Sequence, residues 1–280
     1  MIWAKMERLD RKVVYVVLLM CLAVPLLKPM GIPLSIDKRT SDFFHVIEGL
    51  APDARVLVSF DYETGGSGDV HPQVRPVVEH LLRKGIKPIM ASFRAPGPMF
   101  CEDILKPLEA QGYEYGVDFV NLGFLVGDET AVRNFASDPL APFATDFRGK
   151  STKDMPVLEG IQAITDFDLI VEFTASNSFM YFIRHIYEPH KVPIVLGSVA
   201  VSVPEAMPYL ESNQLAGILS GMRAAAEYEL LMEAPGSAVA KMDAQSLGHL
   251  AIILFIVLGN VAYRINKNVR TGSTVSNPNE

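Results

Sequence analysis

The sequence predicts an α/β fold: a doubly wound, mostly parallel sheet of about five strands, flanked by N- and C-terminal transmembrane helices. Three observations carry this reading. Short apolar runs alternate with helix-period stretches through the middle of the 280-residue chain. Uninterrupted apolar runs stand near both ends, at 13–27 and 250–258. The residues that follow the strands are rich in Gly, Ser, Thr and Asn, as expected where the ends of parallel strands meet one edge of a sheet.

The elements follow in order. Residues 1–12 form a basic N-terminus with Lys5, Arg8, Arg11 and Lys12. Fifteen apolar residues of helix cover about 22 Å, short of a hydrocarbon core of about 30 Å. Lys28 extends the segment by snorkelling, so that a span is expected over 13–34, with Pro25 tolerated inside it. The competing reading is a cleaved signal peptide, but Pro25 to Pro33 offers no small-residue cleavage site. A lipoprotein signal is weak as well, because Met20 precedes Cys21.

The middle domain is expected over 35–233. A strand at 55–60 leads to a helix at 76–84 that stops at Gly85, then a strand at 87–93 and a helix at 101–111 that stops at Gly112. A short strand at 118–122 precedes a helix capped by Asp128 and running to 136. Strands at 168–173 and 193–197 are separated by a helix at 179–187, and a last helix, 206–233, breaks near Ser212 and Asn213. Between them, 137–160 carries Pro139, Pro142 and Pro156 and reads as a surface excursion or a flap. A linker at 234–245 leads to a second span at 246–264, which ends on Tyr263 and Arg264 as an interfacial aromatic and a positive anchor. A tail follows at 265–280.

Charge bounds the location and the partners. Seven basic residues flank the outer sides of the two spans and four, Lys28, Lys38, Arg39 and Lys241, flank the inner sides. The positive-inside tendency then places both termini in the cytoplasm and the domain outside it, two-pass in a cell membrane. Of the 25 Lys/Arg and 32 Asp/Glu, residues 13–263 keep 18 against 29. So acidic a stretch is unsuited to nucleic acid or to anionic lipid headgroups by general electrostatics, which leaves the bilayer core as the lipid partner. The two cysteines, Cys21 and Cys101, fall in different segments and exclude a disulfide framework.

The candidate binding residues stand after the strands: Asp61, Glu63, Gly65, Gly66 and Ser67 after the first, Arg94 after the second, Ser176 and Asn177 after the fourth, and Ser198 after the fifth. Glu172 joins them from within the apolar strand Leu-Ile-Val-Glu-Phe, where a carboxylate needs a partner or a raised pKa. An ion pair with Arg94 or Arg184 is its structural reading, and a site acid the functional one. The run from Gly65 to Gly68 reads as a flexible turn, since it fits neither dinucleotide nor P-loop spacing and lies among Asp61, Glu63 and Asp69. Those carboxylates make a divalent cation the only cofactor to weigh, and no cofactor is expected. No nucleophile elbow or metalloprotease motif is present. Small residues Gly217, Gly221 and Ala224, taken as helical, suggest close approach, either tight packing on the sheet within the domain or contact with another subunit, as a homo- or hetero-oligomer.

The function these residues imply is a membrane-anchored extracytoplasmic α/β domain that binds a polar ligand or serves as a subunit of a membrane complex, without catalysis of its own. The alternative is a membrane-bound hydrolase or transferase with its site at the carboxyl ends of the strands and Asp61, Glu63 and Glu172 as acids.

Overall fold

A computed structural model describes the chain over residues 11–273, with side chains through 265. The chain divides into two compact units, 34–238 and 1–33 with 239–280. The stretches 1–10 and 274–280, and the side chains of Lys267 and Arg270, lie outside the described residues.

Unit 34–238 is built on six parallel strands: β1 (Arg55–Asp61), β2 (Lys87–Ser92), β3 (Val120–Phe124), β4 (Leu169–Thr174), β5 (Ile194–Ser198) and β6 (Gly217–Ser220), in the order β3-β2-β1-β4-β5-β6. The strands form because each is a short run rich in apolar residues, buried on both faces along almost its whole length. Connections run outward from β1 to β3, then return to β4 beside β1 and run outward the other way. The sheet therefore reverses its winding between β1 and β4, which pair from Val56–Leu169 to Asp61–Thr174.

Helices cover the sheet. After α1 (Arg11–Leu27) come α2 (Lys38–Glu48), α3 (Thr64–Arg83), α4 (Gly97–Glu109), α5 (Glu129–Ser137) and α6 (Phe179–Phe182), which continues through a wider π turn (Ile183–Tyr187). The last are α7 (Val203–Glu211), α8 (Gly221–Leu231) and α9 (Ser237–Ser273). On one face α3 packs against α8 and α4, with α2 beside α8 and against β6; α5 and α6 pack together on the other. Glu227 of α8 is buried and draws the start of the unit onto its end. It accepts from the Asp37 backbone N–H at 3.1 Å, the Thr40 hydroxyl at 2.7 Å and the Arg223 guanidinium at 2.8 Å.

Three elements differ from the sequence reading. The expected last helix 206–233 is α7, β6 and α8. Asn213 and Gly221 take φ of 60° and 61°, which frees the backbone between them to pair with β5. Gly217, Gly221 and Ala224 therefore make no common helical face: Gly217 lies in β6, where a Cβ would stand 2.7 Å from Phe43 Cα, Gly221 opens α8, and Ala224 is buried within the unit. The helix expected from 76 begins at Thr64, so Gly65, Gly66, Ser67 and Gly68 form its first turn rather than a loop; the Glu63 carbonyl already accepts from the Gly66 and Ser67 N–H groups. A helix unforeseen in the sequence, α2, buries Phe43 and Ile47 one turn apart.

The excursion 137–160 is fastened to α4. Arg148 binds Glu102 at 2.9 Å and Glu109 at 2.8 Å and lies 3.8 Å over the Tyr115 ring, while the Tyr115 hydroxyl donates to Asp146 at 2.8 Å.

The other unit contains α1 and α9. Among the described residues one helix is long and apolar enough to cross a membrane, Ser237–Ile265 of α9, 29 residues or roughly 43 Å of helix. The expected linker 234–245 is thus helical from Ser237 onward. The expected span 13–34 is helical only to Leu27; α1 has 17 residues, and the chain leaves the helix before Pro29, with Gly31 at φ 65°. Asp243 of α9 accepts the backbone N–H groups of Met30, Gly31 and Ile32 at 2.7, 2.9 and 3.0 Å.

Candidate functional site

The reversal of winding between β1 and β4 opens the sheet's carboxyl edge, the place where ligands of doubly wound folds bind. A cavity of about 310 Å³ lies there, lined by Asp61, Tyr62, Glu63, Gly65, Gly66, Arg94, Ala175 and Ser176. β1 delivers Asp61 at its last position, α3 contributes Gly65 and Gly66 from its first turn, Arg94 follows β2, and Ala175 and Ser176 follow β4. The crevice between β1 and β4 is narrow because α3 sits close to the β4 turn: a Cβ on Gly66 would stand 2.2 Å from that of Ala175.

The charge of the cavity is mixed. The first amides of α3 point their positive end to the strand edge, and the Glu63 side chain makes no capping hydrogen bond to them. Arg94 is held by Asp128 at 2.7 Å. Asp61 is buried, accepting from the Phe93 backbone N–H at 2.6 Å and the Ser59 hydroxyl at 2.5 Å. Burial pushes its carboxyl up to about 6, against the pull of those donors and of Arg94. Tyr62 stacks on Phe100 with ring centroids 4.8 Å apart, and its hydroxyl lies 2.7 Å from His71 Nδ1. Burial raises that phenol well above its ordinary range.

Glu172 lies below the cavity, with no exposure to solvent. It pairs across the sheet with Ser59, so that Ser59, Asp61, Glu172 and Thr174 share one face of two neighbouring strands. The expected ion pair does not form: Arg94 is taken by Asp128 and Arg184 by Glu129. Instead Ser178 donates to Glu172 Oε1 at 2.7 Å, and Oε2 has no hydrogen-bond partner among the described residues. Burial first, and then the nearby charge of Asp61, hold the Glu172 carboxyl well above the usual carboxylate range. With one acid so raised, the pair carries its single negative charge on Asp61, which accepts from two donors where Glu172 accepts from one.

Comparison with protein-family models, with characterised proteins and with solved structures finds no match. The fold is Rossmann-like by its strand order alone.

Of the expected binding residues, Asp61, Glu63, Gly65, Gly66, Arg94 and Ser176 line one cavity. Ser67 turns its hydroxyl to the Thr64 carbonyl at 2.9 Å, and Asn177 is exposed beyond the rim. Ser198 is buried; its carbonyl accepts from Gln73, and its hydroxyl has no partner among the described residues. Asp61, Glu63 and Asp69 do not assemble, and among the described residues no group of three or more His, Cys, Asp or Glu is placed to hold a metal ion. Tyr62, Thr174 and Ser178 lie in the strand-end stretches of the sequence without being among the expected binding residues, and Gln73 is missed. Gln73 had a signal, since it falls on the same helical stripe as Val70, Val74 and Val77. There it donates to the carbonyls of Ser198 and Gly221 at 3.0 and 3.2 Å.

A larger concavity of about 810 Å³ follows the excursion over Asp138–Ile161. That segment reaches the amino edge of the sheet, where Arg55 donates to the Glu159 carbonyl at 3.2 Å, away from the carboxyl edge at which ligands of doubly wound folds bind.

Proposed function

We propose that this chain is a membrane-anchored α/β domain that binds a small polar ligand at the carboxyl edge of its sheet. The observation carrying this reading is the cavity at the winding reversal, in which six sequence-flagged residues converge. Arg94 and the amide end of α3 favour acceptor groups on the ligand; Asp61 and Glu63 favour donors. A ligand bearing both kinds of group, and small enough for about 310 Å³, fits best. A Cβ at Gly65 meets no atom within 4 Å, so Gly65→Phe can fill the cavity mouth without displacing the core. A screen of small polar metabolites by thermal shift on the full chain in detergent should find a stabiliser that loses its effect in Gly65→Phe. If no compound behaves that way, the binding reading fails.

The anchoring reading has both spans in the bilayer, both termini in the cytoplasm and the α/β unit outside. It is supported by the exposed apolar side chains of α9, Leu250, Ile252, Ile253, Leu254, Ile256 and Val257 among them, and by the basic flanks. A reporter fused after Glu280 should report a cytoplasmic location; an external one overturns the orientation. The hydrolase or transferase reading rests on Asp61 and Ser176 sharing the cavity wall, but the Ser176 hydroxyl meets the Thr174 and Ser178 hydroxyls and the Ser178 N–H and has no base among the described residues.

A further inference from the structure

The buried acid Glu172 is joined to the cavity by hydroxyls. Ser178 Oγ lies 2.7 Å from Glu172 Oε1 and 2.8 Å from Thr174 Oγ1. Thr174 Oγ1 lies 3.1 Å from Ser176 Oγ, and Ser176 forms part of the cavity wall. A shorter branch runs from Ser176 Oγ to Ser178 Oγ at 3.3 Å. The sequence builds this path by placing a polar residue at every second position from 172 to 178, first along the strand and then around the turn that starts α6. Thr174 Oγ1 also accepts from the Ser176 N–H at 3.0 Å and Ser176 Oγ from the Ser178 N–H at 3.4 Å, so these two hydroxyls serve the turn as well. The third, Ser178, serves instead a fully buried carboxyl whose second oxygen has no partner among the described residues.

We propose that Glu172 is the proton reservoir of the strand-end cavity, neutral in the resting protein and exchanging its proton with the cavity's contents through Ser178, Thr174 and Ser176. In the outward step Ser176 gives its hydroxyl proton to a base in the cavity, water in the resting protein. It takes the proton of Thr174, Thr174 that of Ser178, and Ser178 that of Glu172. One proton leaves, Glu172 becomes a carboxylate, and every hydroxyl is restored; the inward step is the reverse. The charged groups bearing on Glu172 are Asp61 from β1 and Arg94 beyond β2. Asp61 keeps the negative charge because it has two donors, and a second charge beside it is opposed by repulsion in a dry setting. Thr174 also faces the Asp61 carbonyl at 3.1 Å, which is the resting alternative for its proton. The polarity of the wall follows the reservoir. While Ser178 donates to Glu172 Oε1, the acid's proton stands on Oε2. Once that proton is on Oε1 the chain points outward and Ser176 offers a donor beside Arg94; with Glu172 ionised the chain points inward and Ser176 offers an acceptor. Ligand binding is thereby coupled to proton uptake or release.

The relay is measured without a ligand, so its failure is distinct from failure of the binding reading. Infrared spectra of the full chain in detergent at neutral pH should show a protonated carboxyl C=O band that shifts when Glu, and not Asp, is ¹³C-labelled at the carboxyl and that is lost in Glu172→Gln. On transfer to D₂O the band should move. Thr174→Val leaves the 3.3 Å branch from Ser176 to Ser178 and should slow that exchange. Ser176→Ala removes the hydroxyl both branches cross and should slow it by about tenfold or more, the worth of one lost hydrogen bond in the path. Thr174→Ser should restore the rate, and Ser176→Ala should keep a normal circular dichroism spectrum. Absence of the band overturns the proposal, and so does an exchange rate that is the same in wild type, Thr174→Val and Ser176→Ala. If Thr174→Val does not fold, Ser176→Ala and Thr174→Ser decide.

Discussion

Asp61→Asn tests whether the carboxylate at the end of β1 is a charge that the fold holds at a cost. Burial raises this carboxyl from 3.8 to about 6. The folded chain therefore keeps a proton between those values that the unfolded chain has lost. For a group whose folded pKa is raised, the stabilisation is complete below the unfolded value and vanishes as pH climbs through the folded one. A difference of about two units corresponds to roughly 3 kcal/mol between the two limits. In Asp61→Asn the amide oxygen still accepts the Phe93 N–H, and the Ser59 hydroxyl can turn to accept from the new NH₂ group. The variant lacks the titration. Relative to wild type it should gain roughly 3 kcal/mol in stability between about pH 3 and about pH 8. Urea unfolding of the full chain in detergent, followed by circular dichroism at both pH values, measures the gap. Parallel pH profiles for the two proteins would refute the reasoning, and so would a variant weakened equally at both ends.

Other perturbations address the contacts that shape the unit. Gly66→Ala forces a methyl to within 2.2 Å of the Ala175 Cβ and should part α3 from the β4 turn, at a cost of about 1–3 kcal/mol in the urea midpoint. Arg148→Ala leaves Glu102 and Glu109 without their shared partner and bares the Tyr115 ring, so limited proteolysis should cut within 137–160 sooner than in wild type, with the sheet intact. Arg148→Lys should not restore protection, because an ammonium cannot hold two carboxylates in a planar fork. His80 is buried between the Tyr228 hydroxyl and Glu48, each at 2.7 Å, and burial lowers its pKa below 6.5. Stability should fall as pH drops below that value, where the unfolded imidazole takes a proton that the folded one resists, and His80→Gln should flatten this acid limb.

Much of the sheet was legible because buried parallel strands must be short apolar runs, and those of β1, β2, β4 and β5 stand out against their helices. The first half of α3 was not: Gly65, Gly66, Gly68, Pro72 and Pro76 all argue locally against a helix, and only the packing of Val70, Val74 and Val77 overrides them. β6 was hidden for the converse reason. Four residues of strand lie beside an alanine-rich helix, and the positive φ at Gly221 that separates them leaves no mark distinct from an ordinary helical glycine. At the site, Asp61, Glu63, Arg94 and Ser176 were legible as strand-end positions once the strands were taken as parallel. The partner of Glu172 was not. Charge matching points to arginine, but both arginines are claimed by acids on the unit's surface, and Ser178 reaches Glu172 only through the turn that follows β4.

The grip of Glu227 on Asp37 and Thr40 sets a timetable for biosynthesis. The groups it joins are 190 and 187 positions apart in the chain. As the protein emerges from a ribosome, α2 is among the first parts of the α/β unit to appear, yet its anchoring acid is among the last. Until then Phe43 and Ile47 lack the strand they cover, and β5 is an open edge able to pair with any passing strand. Contacts of such long sequence span close late, so the unit completes itself in a final zipping of α2, β6 and α8 rather than from its amino end forward. The α/β unit is thus most exposed to aggregation when it is nearly finished, lacking only β6 and α8.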